Sequence, residues 1–302
     1  MKYVFASALI FAVLILFACG DNPAETEDWP DGASLYISST FPDTALAWSP
    51  TGNVLLFSSF AYSSYCIFGF DGTSDPIPVA ASDYNESAGP TGCWSAQQGL
   101  IAYVASESAT RSSVRTVPGN LGALLVVVDD DRRHFHPTWT ADEDSLLMST
   151  FDNGYWGLYA TPYHEDSLLT PQPFYTPAMN CLRPSYSPDG EHIIFEVQDN
   201  GKGSIWIVDS DGSNAQSVVD DTFCNIHPTW GPHSDRFAFA SDRSGNFDIW
   251  IADINGGTMV QVTDQEDSDL WPAWNPQHGW LAFASNRITG DDNYDIFTID
   301  EP

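Results

Sequence analysis

One feature constrains this chain more than any other: an aromatic residue followed by an apolar run recurs at near-constant spacing. The markers are Trp48, Trp94, Trp139, Tyr186, Trp230 and Trp274, separated by 46, 45, 47, 44 and 44 residues. The runs are VLLF (54–57), LIAY (100–103), SLLM (145–148), HIIF (192–195), RFAF (236–239) and WLAF (280–283). No 3.6-residue periodicity accompanies them. The clearest unit, residues 227–264, reads as four short strands at 228–230, 236–241, 248–254 and 258–263. Alternating apolar residues give the period of two that a pleated strand requires. Turn formers separate the strands, and Asn255-Gly256 supplies the positive φ of a tight hairpin. One such sheet does not stand alone. Repeated at this period, four strands to a unit, it predicts an all-β fold: a six-bladed β-propeller of four-stranded antiparallel blades.

The ends of the chain fit a closed ring. The sixth unit stops after its third strand, and SLYISST (34–40) reads as the missing fourth. The N-terminal strand is therefore expected to complete the last blade and hide a sheet edge. Length alone allows two domains, but the repeat makes residues 33–302 one propeller.

Residues 1–18 read as an export signal, with Lys2 as the charged start and an apolar run over 4–17 too short for a comfortable membrane span. Leu16-Phe17-Ala18-Cys19 resembles a bacterial lipoprotein signal, which implies cleavage before Cys19 and lipidation of its sulfur and new amino group. Gly20 falls in that family's permissive class for outer-membrane delivery, so the expected location is the cell envelope, periplasmic or surface-exposed. Residues 19–32 are acidic and without periodicity, as a tether would be.

Charge is the compositional outlier, at 41 acidic against 10 basic residues and a net charge of −31, with Lys only at positions 2 and 202. Such a field repels nucleic acid and anionic headgroups. It fits adaptation to a saline setting. It also fits binding of Ca or another divalent cation by the loops at 129–131, 264–269 and 291–292, none of which has helix–loop–helix calcium spacing. No other cofactor is indicated.

Three segments carry a family resemblance: Ser187-Pro188-Asp189-Gly190, SDRSGNFDIW (241–250), and Ser285-Asn286-Arg287 with NYDIF (293–297). They resemble the repeats of TolB-type β-propellers, over roughly residues 34–302. The first three units depart from the pattern, the second at SAQQ (95–98) and the third at TADE (140–143). The resemblance implies a periplasmic binding platform, and relatives of this kind also decorate peptidases and sugar lyases. The recurring pairs Arg243/Asp248 and Arg287/Asp295 are expected to cap hairpins.

In a propeller the first strands line the central channel. Three residues before each marker stand Ala45, Thr91, His136, Arg183, His227 and Trp271, expected in the loops leading into the first strands. One mouth should then gather His136, Arg183, His227 and Trp271, with Asn180, Asn225 and Asp269 nearby. Mixed polar and aromatic groups on a concave surface form a binding site. Of the cysteines beyond Cys19, Cys181 and Cys224 stand at near-equivalent positions on adjacent blades, and Cys66 is expected in the third strand of the first blade and Cys93 in the first strand of the second. Both pairs are disulfide candidates in an exported chain.

Catalytic motifs are missing: there is no Gly-x-Ser-x-Gly elbow and no His-x-x-Glu-His. Some TolB-like sugar lyases hold a metal with clustered histidines, so the resemblance leaves open a metal-dependent lyase or hydrolase using His134, His136 and His227. His134 and His136 are two apart and expected on one side of an extended segment. The leading expectation is a lipid-anchored, non-catalytic propeller that engages an envelope protein or peptide at the channel mouth. A cation-binding acidic surface protein is the third reading.

Overall fold

The second strand of every repeat is buried along both faces, because each blade packs between two others. The computed structural model describes residues 30–38, 43–61, 64–81, 92–119, 122–164, 167–288 and 293–302. The signal segment, Cys19 and the tether to residue 29 lie outside the described residues. Strand β1 (Ser34–Ile37) precedes the first blade. Blade 1 is β2 (Asp43–Trp48), β3 (Leu55–Ala61), β4 (Ser64–Phe70) and β5 (Ile77–Ala81). Blade 2 is β6 (Gly92–Trp94), β7 (Leu100–Ser108), β8 (Arg111–Pro118) and β9 (Leu125–Val128). Blade 3 is β10 (Arg133–Trp139), β11 (Ser145–Asp152), β12 (Tyr155–Pro162) and β13 (Gln172–Tyr175). Blade 4 is β14 (Asn180–Tyr186), β15 (His192–Asp199), β16 (Lys202–Asp209) and β17 (Gln216–Val219). Blade 5 is β18 (Asn225–Trp230), β19 (Arg236–Ser241), β20 (Asp248–Asp253) and β21 (Met259–Gln261). Blade 6 is β22 (Asp269–Trp274), β23 (Trp280–Ser285) and β24 (Asp295–Asp300).

All six sheets are antiparallel and four-stranded, and the sixth has the order β1-β24-β23-β22. The first strands touch one another in a closed cycle, β2 to β6, β10, β14, β18, β22 and back to β2. They form the inner ring. Leu146–Met148, Ile193–Phe195 and Phe237–Ala240 on second strands are fully buried. A strand covered on both faces reads as a continuous apolar run rather than a strict alternation, which is why the sequence shows LLM, IIF and FAFA there.

Blade-to-blade contacts use the same repeat positions. The marker indoles of Trp48 and Trp230 donate to the carbonyls of Ala273 and Ser185, each at 3.0 Å, in the preceding blade. On the loops between first and second strands, the buried Glu143 of blade 3 accepts from Ser95 Oγ at 2.7 Å and from the backbone of Gln97 at 2.7 Å in blade 2. Asn275 of blade 6 donates to Gly52 of blade 1 at 2.9 Å. Gly52 has φ +71°, and a Cβ there would lie 2.5 Å from Asn275 Oδ1. The departures SAQQ and TADE therefore keep the interlocking role by a different side chain.

Closure occurs as expected: Ser34 pairs with Thr298 and Leu35 with Phe297. The described chain also engages one step earlier than the expected end of the tether. Asp31, 2% exposed, meets Arg287 Nη1 at 3.1 Å. Arg287 Nη2 holds both oxygens of Asp269 at 3.1 and 2.9 Å, Nε donates to Ser285 at 2.9 Å, and the guanidinium lies over Phe283 and Phe297. Arg243 repeats the arrangement with Asp221 at 3.1 Å, Asn225 at 2.9 Å and Ser241 at 3.1 Å, over Trp250. The arginines do brace the hairpins, and Arg243 is held by Asp221, Asn225 and Ser241 in place of the expected Asp248. The reason is reach: each guanidinium turns inward over the second- and third-strand rings. Asp248 bonds Ser244, Gln261 and Thr263 instead, and burial pushes its carboxyl up to about 6.

The four described cysteines are free thiols, which corrects both disulfide expectations. Cys181 lies two residues before Arg183 and is buried in the apolar core of blade 4, whereas Cys224 lies three before His227, with its sulfur 4.0 Å from Gly201 O. One residue of offset in a strand reverses the side chain's direction. Cys66 is buried on the third strand of blade 1 and Cys93 half-buried on the first strand of blade 2.

Removing Arg287 leaves two buried carboxylates uncompensated. Arg287→Ala is expected to lower unfolding stability by about 3–5 kcal/mol. Arg236→Ala, at a surface pair with Glu301, is expected to cost about 1 kcal/mol or less. Urea unfolding of both variants measures the difference, and equal losses would refute the clasp.

Candidate functional site

The first strands of blades 3 to 6 share a break in their ladders. The register with the second strand shifts between Phe135 and Thr138, Leu182 and Ser185, Ile226 and Thr229, and Leu270 and Ala273. Each break contains a residue followed by proline: His136-Pro137, Arg183-Pro184, His227-Pro228 and Trp271-Pro272. Proline has no N–H for the ladder and is tolerated at a bulge. The residue before it takes φ of 51°, 53°, 57° and 51° respectively. Left-handed backbone costs a non-glycine residue of order 1–3 kcal/mol, and a bulge re-aims the side chain it carries. These four side chains thus sit inside the first strands, at their bulges. That corrects the expectation that they lie in the preceding loops: an X-Pro pair looks like a loop in sequence because it stops regular pairing. Blade 1 shifts at the same place, between Ala45 and Ala47, and Thr91 lies outside the described residues.

The inner ring joins these side chains. Arg183 Nη1 meets Glu196 Oε2 at 3.3 Å, and the same oxygen accepts the His227 backbone N–H at 3.0 Å. Gln198 Nε2 donates to the other oxygen. Glu196 is 0% exposed, on the second strand of blade 4. His227 Nδ1 accepts the Trp271 backbone N–H at 3.4 Å, which places the neutral ring's proton on Nε2. The His227 and Trp271 rings stack at 4.9 Å with 15° between planes, and Trp271 meets Tyr294 edge-on at 5.5 Å. Burial, then the Arg183 charge, holds the His136 imidazole well below its usual pKa; the same causes, with His136 added, hold His227 down. Arg183 keeps 25% side-chain exposure, and among the described residues its Nε and Nη2 have no hydrogen-bond partner. The inner strands thus bring together an arginine edge at blade 4, a histidine at blade 5 and an indole at blade 6.

The neighbours expected beside them belong to the blades instead. Asn180 accepts from Trp156 N at 3.2 Å, Asn225 is held by Ser241 and Arg243 at 2.8 and 2.9 Å, and Asp269 is clasped by Arg287. A regular strand would place Asn225 with His227, and Asp269 with Trp271, on one side; the intervening bulge breaks that alternation. His134 is separated from His136 for the same reason. Its ring meets Thr150 Oγ1 at 3.0 Å and Asp130 Oδ1 at 2.9 Å. Among the described residues no group of three or more His, Cys, Asp or Glu side chains converges as a metal site requires. The acidic pair at 291–292 lies outside the described residues. Sequence reasoning missed Glu196, whose signal was a lone carboxylate inside the apolar run IIFEV.

Residues 170–299 match the family model described as the TolB beta propeller domain. No curated protein matches the chain. Among solved structures, a putative TolB from Agrobacterium tumefaciens is similar at 19% identity and TM-score 0.64, over 87% of this chain and 92% of that one. An oligogalacturonate lyase in complex with manganese is similar at 13% identity and TM-score 0.58, over 89% and 93%. The tricorn protease is similar at 13% identity and TM-score 0.60, over 86% of this chain and 25% of that one. The TolB-type repeat and the six-bladed ring agree, and the range of chemistries on this shared fold leaves function to the site.

The depressed histidines set a pH dependence. Below the ordinary histidine pKa of about 6.5 the unfolded chain takes up protons that the native channel refuses. Their contribution is therefore present above about pH 6.5 and lost as pH falls. Urea midpoints from pH 7.5 to 5 should fall more for wild type than for the His136→Gln/His227→Gln variant; parallel curves would refute the assignment.

Proposed function

We propose that this TolB-type propeller is a lipid-anchored, non-catalytic binding module of the bacterial envelope that engages a protein or peptide in its channel. The observation that carries the reading is the four-fold X-Pro bulge. Backbone strain recurs at equivalent positions under His136, Arg183, His227 and Trp271, and on this common bend the four side chains differ as an asymmetric binding surface requires. Arg and Trp are the side chains that most often dominate binding energy when a partner desolvates them. Anchoring through Cys19 follows from the signal segment, and the tether would hold the ring close to the membrane.

Crosslinked capture from the native envelope, with metal analysis of the same purified protein, tests this. Arg183→Ala and Trp271→Ala should each weaken capture of a defined partner by about 30-fold or more, the effect of losing a dominant contact of about 2 kcal/mol. Melting temperatures check the fold, and Trp271→Gly, which accepts the positive φ, separates loss of the indole from backbone strain. Unchanged capture in these variants would reject the channel as the site. A stoichiometric transition metal lost on His136→Ala and His227→Ala would move the reading to metal-dependent chemistry.

A further inference from the structure

We infer that the channel recognises the terminal carboxylate of a polypeptide, carried on an apolar or aromatic last residue. This rests on the binding reading above and names its chemistry.

The arginines of this chain differ in how their guanidinium edges are used. Arg287 spends its Nε and both Nη groups on Ser285, Asp31 and Asp269. Arg243 directs Nε and Nη2 to Ser241, Asp221 and Asn225, and Arg132 directs Nε and Nη2 to Asp130. In each, the Nε–Nη2 edge, the side of a guanidinium that matches a carboxylate with two parallel bonds, is already occupied. Arg183 differs. It is tied back only through Nη1, to Glu196, and its Nε–Nη2 edge has no protein partner among the described residues while the side chain stays partly exposed. Glu196 is in turn held by three donors, His227 N, Gln198 and Arg183. It orients the guanidinium and leaves the outer edge for a ligand. The guanidinium is thus fixed before binding, which lowers the entropy lost on forming two bonds.

The rest of the wall states what the carboxylate should be attached to. Trp271, stacked on His227, edge-on to Tyr294 and packed against the neighbouring cores, is half-buried and keeps part of its indole accessible one blade beyond His227. A carboxylate and an apolar side chain on one carbon unit describe the last residue of a polypeptide. An oligouronate also carries carboxylates, but it carries one on every sugar. A chain of net charge −31 repels a polyanion, whereas a neutral or basic peptide brings a single negative charge and places it on the arginine.

The test uses full-length protein and acetylated hexapeptides GSGSGF, GSGSGL and GSGSGA, each as free acid and as C-terminal amide, with a galacturonate trimer in parallel. Titration is followed by calorimetry. The free acids of the first two should bind about 10- to 100-fold more tightly than their amides, the range for a charge-assisted bond of about 1.5–3 kcal/mol. Arg183→Gln should reduce each acid to the level of its amide, with a lowered melting temperature because the buried Glu196 loses its cation but a folded protein at the titration temperature, and Arg183→Lys, which keeps the charge, should restore only part of the difference. Trp271→Gly should abolish the preference for Phe over Ala. Equal binding of acid and amide overturns the carboxylate; if that binding still requires Arg183 and Trp271, the channel reading stands alone. Tighter binding of the galacturonate trimer than of any acid peptide also overturns it. So does failure of every peptide to bind while partner capture depends on Arg183. Peptide binding indifferent to both residues rejects this inference and the channel together.

Discussion

Everything in this molecule depends on closing a ring of sheets that cannot stand singly. Each blade offers two apolar faces, and a blade with only one neighbour leaves a face of Leu, Ile and Phe in water. The ring removes both ends at once, but only if the last sheet is complete. Its fourth strand comes from the other end of the chain, as β1 paired on β24. Four residues of ladder are a small contact for that task. The Asp31–Arg287–Asp269 clasp adds a second one that hydrogen bonds along the strand do not provide. It also explains why a buried cation is retained: the guanidinium joins the incoming segment, the first strand of blade 6 and the rings of its second and third strands at one point.

Closure fixes the inner ring, and a fixed inner ring permits strain. Four non-glycine residues in the left-handed region would be a liability in an isolated hairpin, where the strand could relax by slipping register. Here each first strand is held by its own second strand on both sides of the bulge and by first strands to left and right. The strain is then over-determined by packing. In blade 5 the marker contributes directly, since Trp230, three residues downstream of His227, is hydrogen-bonded to the adjoining blade. Aromatic markers and inward-aimed residues are thus two parts of one strand: one end is anchored between blades so that the bulge can turn its side chain toward the axis.

The sequence made the scaffold legible because scaffold positions repeat. Spacing of Trp48 through Trp274, the apolar second strands and the missing sixth-blade strand all follow from demands that every blade must meet. The inner chemistry was legible only in part. His136, Arg183, His227 and Trp271 could be found by counting back from the marker, yet that count placed them in the loops ahead of the first strands. The bulge was invisible because it is a property of pairing with the neighbouring strand. For the same reason Asn225 and Asp269, expected beside them at the mouth, are instead held within the blades by Arg243 and Arg287. Cys181 and Cys224 looked equivalent, but one residue of offset gave them opposite directions. Glu196 had a signal, a carboxylate amid Ile and Phe, whose partners lie on another strand and another blade.

Where repeat and variation diverge is where function should be sought. At the marker the six residues are alike, all Trp or Tyr, because each fills the same space between blades. At the bulge the backbone is alike while the side chains are His, Arg, His and Trp. Equal geometry with unequal chemistry means that the scaffold requires the bend and leaves the occupant open. A surface assembled from such positions is asymmetric even though the ring is nearly symmetric, and an asymmetric wall can read an asymmetric ligand. The overall acidity then acts on the partner as a whole, and the channel acts on the small part that enters it. The two work at different ranges: net charge biases approach over roughly a Debye length of about 8 Å in physiological salt, whereas the arginine edge and the indole discriminate only on contact.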